Sequence, residues 1–168
     1  IGTNASGTAA LGNTYGITVT LADVTIGGTA VGSRNIISGN SSYGIWMTNA
    51  GPGSGSVILG NYIGTDITGQ VGIGNGNAGI EVSSNNNTIG GNTAAARNVI
   101  AGVSSGYGID FQNSTGGNTV LGNYIGVAAD GTTALANFVG IRVYNSSDVT
   151  IGGVTAGERN VISGNASD

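Results

Sequence analysis

TIGGTAVGSRNIISG at residues 25–39 returns as TIGGNTAAARNVIAG at 88–102 and as TIGGVTAGERNVISG at 150–164, with no gap in any copy. A second stretch, IGTNASGTAALGN at 1–13, returns as IGTDITGQVGIGN at 63–75 and as IGVAADGTTALAN at 125–137. The long period is therefore 62, from Ile1 to Ile63 to Ile125. It halves: a β-branched residue before a glycine-rich step stands at Ile26, Ile58, Ile89, Val120 and Ile151, at separations of 32, 31, 31 and 31. An N-x-I step confirms the halving, with Asn35, Asn61, Asn98, Asn123 and Asn160 preceding Ile37, Ile63, Ile100, Ile125 and Ile162. A third column follows glycine, at Ile17, Ile45, Ile80, Ile109 and Ile141. Fixed-period self-similarity marks stacked structural units.

Each coil thus carries three short β-branched runs punctuated by Gly, Asn and Ser, the vocabulary of strands and turns. No stretch has the periodicity of an amphipathic helix. The spacing predicts an all-β, right-handed parallel β-helix of about five coils, each of about 31 residues with three short strands, as one domain over 1–168. Identical isoleucines then stack at about 4.8 Å per coil as aliphatic ladders. The asparagines form a ladder of their own at a turn, a structural role.

Composition narrows function. Only 7% of the residues are charged, against about 25% in an ordinary soluble domain. Four arginines, no lysine and a net charge of −4 argue against nucleic acid and anionic membrane surfaces as partners. No apolar run approaches the roughly 18 residues of a membrane helix, so no membrane insertion is expected. Absence of histidine and cysteine removes Ser-His-Asp and Cys-His nucleophile systems, imidazole-bound zinc and thiolate metal sites. No cofactor or metal is implied.

TIGG…RNVISGN paired with LGNYIGTD…TG resembles the tandem repeats of right-handed parallel β-helix proteins, the pectate-lyase-like superfamily, found in large secreted or surface-attached bacterial proteins. The resemblance spans essentially the whole chain. It implies the fold, and for function it implies a range: pectin lyases, polygalacturonases, phage tailspikes, and plain surface or fibre repeats. The lyases use calcium-binding aspartate clusters with a Lys or Arg base, and no such cluster stands at matching positions here. Nonapeptide calcium repeats of the GGxGxD type are also missing.

Alternation along the third column sends the residue between two inward ones to the outer face. That outward series reads Thr18, Trp46, Glu81, Asp110, Arg142, and the next reads Thr20, Thr48, Ser83, Gln112, Tyr144. Trp46, Glu81, Asp110, Gln112, Arg142 and Tyr144 therefore make a candidate carbohydrate-binding strip, with a ring to stack on a sugar and polar groups for its hydroxyls. Glu81 and Asp110 on adjacent coils fall near the roughly 5–5.5 Å carboxyl separation of retaining glycosidases. Against catalysis, Arg142 would hold Asp110 ionised, and two exposed carboxylates have little reason to differ in pKa. No catalytic residue is assigned, and the plainer reading is a drifting solvent face.

Thr25, Val57, Thr88, Thr119 and Thr150 form a row that suggests ice binding as a remote alternative, although β preference explains it. The phase before the N-x-I isoleucines, Ile36, Tyr62, Val99, Tyr124, Val161, is an outward apolar stripe. It is expected to lie beneath the 13-residue loops, whose Leu11, Ile73 and Leu135 recur in phase, or else to be a lateral contact surface. Arg34, Arg97 and Arg159 suit bonds to turn carbonyls; Asp23 and Asp148 read as turn residues. Asp66 and Asp130 lie at different phases of the loop and make no repeated metal site.

The leading expectation is a non-enzymatic structural module of a secreted or cell-surface fibre, surface array or adhesin. The sequence enters and leaves mid-motif, which suggests a segment of a longer array that self-associates end to end or laterally. The alternative is a carbohydrate-binding or carbohydrate-active β-helix.

Overall fold

The structure, a computed structural model, describes residues 1–21, 23–48 and 55–167. Its strands are as short as the punctuation of the sequence demands, because glycine or asparagine turns the chain after every two to six residues. The strands stack into three parallel sheets of five, giving the expected right-handed parallel β-solenoid. The long-strand sheet runs Tyr15–Val19, Tyr43–Met47, Ala78–Val82, Tyr107–Gln112, Val139–Tyr144. The threonine-row sheet runs Thr25–Gly27, Val57–Leu59, Thr88–Gly90, Asn118–Leu121, Val149–Ile151, and the third sheet stacks the two-residue N-x-I strands.

Register follows the repeat column for column. Ile17, Ile45, Ile80, Ile109 and Ile141 pair in order, as do Ile37, Ile63, Ile100, Ile125 and Ile162. Ile26, Ile58, Ile89 and Val120, with Met47, Val82 and Phe111, complete one continuous buried core. Columns loosen most in the last strands, where Ile141 is half-buried and Ile151 and Ile162 are exposed; of the first strands only that of Ile17 loosens, Ile26 and Ile37 staying buried.

Between the sheets the chain turns on side-chain amides. In the N-x-I row the backbone N–H and Nδ2 of Asn61 both donate to Asn98 Oδ1, and those of Asn98 both donate to Asn123 Oδ1. Nδ2 of Asn98 also donates to Ile58 O at 2.8 Å, so the ladder ties coil to coil in both directions. Two further ladders were not read from the sequence. One links Asn13, Asn40 and Asn75, is interrupted at Val103, and resumes through Asn137 and Asn165. The other mixes residue types, Ser56 to Asn87 to Asn118. Asp23 and Asp148 adopt the left-handed backbone expected of turn residues, with φ of 61° and 51°.

The stripe Ile36, Tyr62, Val99, Tyr124, Val161 is in register and lies beneath a cover. The guanidinium of Arg34 sits 4.0 Å from the Tyr62 ring centre and that of Arg97 4.1 Å from Tyr124. Segments 65–72 and 127–134 close over the same rings, where a Cβ on Gly69 would fall 2.7 Å from Tyr62 Cε2. Loop cover is thus the outcome, but Leu11 does not provide it, being 73% exposed, whereas Ile73 and Leu135 are half-buried. Arg34 and Arg97 donate Nε–H to the carbonyls of Gly60 and Gly122, as expected, whereas Arg159 is exposed and makes no such bond among the described residues. Because lysine has no Nε–H fork and stacks less well, Arg97→Lys should cost about 1 kcal/mol in chemical denaturation. An unchanged midpoint would show that the arginine cover adds nothing.

Candidate functional site

The long-strand sheet carries the outward strip by alternation after its inward isoleucines, and glycine before them widens it. Gly16, Gly44, Gly79, Gly108 and Gly140 each precede the inward isoleucine, and each also turns its Cα toward the interior. A Cβ on Gly79 would fall 2.9 Å from Ile100 Cγ2, and one on Gly108 2.9 Å from Asn137 Nδ2. Two successive inward positions push the residue before them outward. That adds a column the sequence reading missed: Tyr15, Tyr43, Ala78, Tyr107, Val139. Its signal was the recurring Y-G-I, which simple alternation would have put on the wrong side.

The expected column itself is in register: Thr18 beside Trp46, Trp46 beside Glu81, Glu81 beside Asp110, Asp110 beside Arg142. It splits into two stations. At the first, Tyr15 and Tyr43 stack with ring centres 5.9 Å apart, and Trp46 tilts against both at 4.9 and 5.8 Å. At the second, Arg142 grips Asp110 as a fork, Nε to Oδ1 and Nη2 to Oδ2, both 2.7 Å. Nη1 donates to Tyr107 Oη at 3.0 Å, the guanidinium lies 4.0 Å from the Tyr107 ring centre, and Gln112 Nε2 donates to Asp110 Oδ2 at 2.7 Å. Tyr144 stands at the edge, 59% exposed.

Two exposed carboxylates were expected here, and the structure corrects that. Glu81 is 3% exposed and Asp110 2%. Neighbouring rungs carry large aromatic and guanidinium groups, which at a strand spacing of about 4.8 Å leave little water between them. The environments of the two acids differ. Asp110 has a bidentate cationic partner and an amide. Glu81 accepts Ser83 Oγ–H on Oε1, while its Oε2 is buried without a hydrogen-bond partner. Burial pushes the Glu81 carboxyl above the ordinary glutamate range and the Asp110 charge adds to it, while the Ser83 hydroxyl, the Trp46 indole and the Arg142 charge oppose it. Tyr43 is raised as well, chiefly by burial and then by the Glu81 and Asp110 charges.

The strip does bring Trp46, Glu81, Asp110, Gln112, Arg142 and Tyr144 onto one face. It leaves few of their polar groups open to a ligand, since Asp110, Gln112 and Arg142 are engaged with one another. In the loops, Asp66 caps its own turn through Thr68, Gln70 and Val71, and Asp130 does so through Thr132 and Thr133, whose hydrogen bonds lower its pKa to about 2. Comparison with family models, curated proteins and solved structures finds no match to this chain.

Proposed function

We propose that this chain is a non-enzymatic structural repeat module, a rigid spacer or fibre element of a secreted or surface-attached protein related to the pectate-lyase-like β-helix repeats. One observation carries the reading: the polar side chains that recur are bonded from coil to coil. Asparagine ladders tie successive turns, Arg34 and Arg97 bind carbonyls of the adjoining coil, and the strip's ionic station is closed on itself. Side chains committed to neighbours stiffen a stack but offer little to a substrate. End-to-end or lateral association of such modules belongs to the same proposal.

The second reading, carbohydrate binding, rests on the aromatic station, where Tyr15 is 39% exposed beside Tyr43 and Trp46. A glycan array separates the two. The module reading expects no oligosaccharide to be retained and no hydrolysis of polysaccharide substrates. Retention that disappears in Trp46→Ala, with the melting temperature preserved, would overturn it in favour of the aromatic station.

A further inference from the structure

We propose that Glu81 is a proton-operated latch on the outward strip: protonated, it lets the strip close between Trp46 and Asp110, and loss of its proton loosens that closure. The inference goes beyond the structural-module reading and does not depend on it. It starts from geometry. Glu81 sits in the middle rung of the long-strand sheet, 3% exposed, with one carboxylate oxygen bonded to Ser83 and the other buried without a partner. A buried carboxylate with an unmet oxygen is costly, and binding a proton removes the charge and turns that oxygen into a donor.

The groups that face Glu81 compensate its charge only in part: the Ser83 hydroxyl, the Trp46 indole and the more distant Arg142 favour the ionised form, and burial with the Asp110 charge outweighs them. From one adjacent strand come Trp46 and Tyr43, neither of them cationic; from its own strand comes the Ser83 hydroxyl; from the other adjacent strand comes Asp110, a second acid in direct register. The one cation within influence, Arg142, is a strand further on. Its Nε and Nη2 are taken by Asp110 and its Nη1 by Tyr107. Ionised Glu81 therefore places two like charges on neighbouring strands with a single guanidinium already saturated by one of them. Relief comes from water, which reaches the buried Oε2 only if the side chains packed around it move aside.

The sign follows from linkage. A carboxyl whose folded-state pKa is raised binds its proton more tightly in the folded chain. Its contribution to stability is complete below the ordinary glutamate pKa and is lost as pH rises through the raised value. The strip is accordingly tightest in mild acid and loosens above it.

The chain contains two glutamates, Glu81 and Glu158, so uniform labelling with glutamate carrying carbon-13 at the side-chain carboxyl yields two resonances. Glu158 is an internal reference: its Oε2 accepts the Thr155 N–H, and that bond lowers its pKa. Titration of the intact chain should show one midpoint below the ordinary glutamate value and one above it, the latter missing in Glu81→Gln. Trp46 is the only tryptophan, so its single indole N–H reports the latch. Its chemical shift should follow the upper midpoint, and its solvent exchange should exceed the general base-catalysed rise above that pH in the wild type and not in Glu81→Gln. Should Glu81→Gln fail to fold, the wild-type titration alone decides. Two midpoints at or below the ordinary value would overturn the latch, as would an indole signal indifferent to the upper one.

Discussion

Ile100→Asp should leave the chain without a cooperative β-structure transition. Ile100 is fully buried at the middle of the N-x-I sheet, in register between Ile63 and Ile125. Loss of a buried isoleucine costs about 2–5 kcal/mol, and an unpaired carboxylate in the same place costs several more. Total stability of a domain is about 5–15 kcal/mol, so the sum is comparable to the whole. No arginine is buried among the described residues to offset the charge. Ile162→Asp is the control within the same column: it is 44% exposed and has a neighbour on one side only, so its carboxylate keeps much of its water. Far-ultraviolet circular dichroism with a thermal melt checks both. If the Ile100→Asp protein melts like the wild type, the isoleucine ladder is not what holds the coils together.

That experiment probes what was legible from the sequence. The repeat gave the coil length, the three strands and the register, because each isoleucine column must meet itself one turn later or leave the core. Amide ladders were legible only where one residue type persists. The N-x-I row was seen, whereas the row through Asn40 and Asn75 was hidden by Val103, whose backbone takes part while its side chain cannot. Ser56 in the third row accepts the Val24 N–H on its Oγ where an asparagine would use Oδ1, and its backbone N–H donates to Asn87 Oδ1, yet it breaks the pattern on the page.

The strip was half legible for a different reason. Column order along the stack follows from register, so Trp46, Glu81, Asp110 and Arg142 could be placed side by side. Burial could not, because it depends on how far neighbouring side chains reach across the face. Tyr107 and Arg142 are long enough to close over Asp110, and the glycine kink that turns Tyr107 outward has no signature in alternation. Sequence gives a side chain's direction, and direction is not exposure on a face crowded with rings.

Gly90→Ala should destabilise the chain more than Gly152→Ala, although both remove the first glycine of a T-I-G-G turn. The two share a backbone, with φ of 90° and 88°, so each alanine incurs the left-handed penalty of about 1–2 kcal/mol. Both also gain the same small unfolded-state benefit of lost glycine freedom, about 0.4–1 kcal/mol. These terms cancel in the comparison. What remains is the next coil. A Cβ on Gly90 would fall 2.0 Å from Leu121 O and 2.6 Å from the Asn123 amide, whereas one on Gly152 meets no atom within 4 Å. Backbone cannot step aside as a flexible side chain can, and moving Asn123 disturbs its bonds to Asn98, Asn160 and Ile89. Overpacking of this kind costs about 1–3 kcal/mol, and that is the expected gap between the two variants in urea denaturation. Equal losses would mean that the glycine is required by the turn alone and that the coils stack with more room than the Leu121 contact allows.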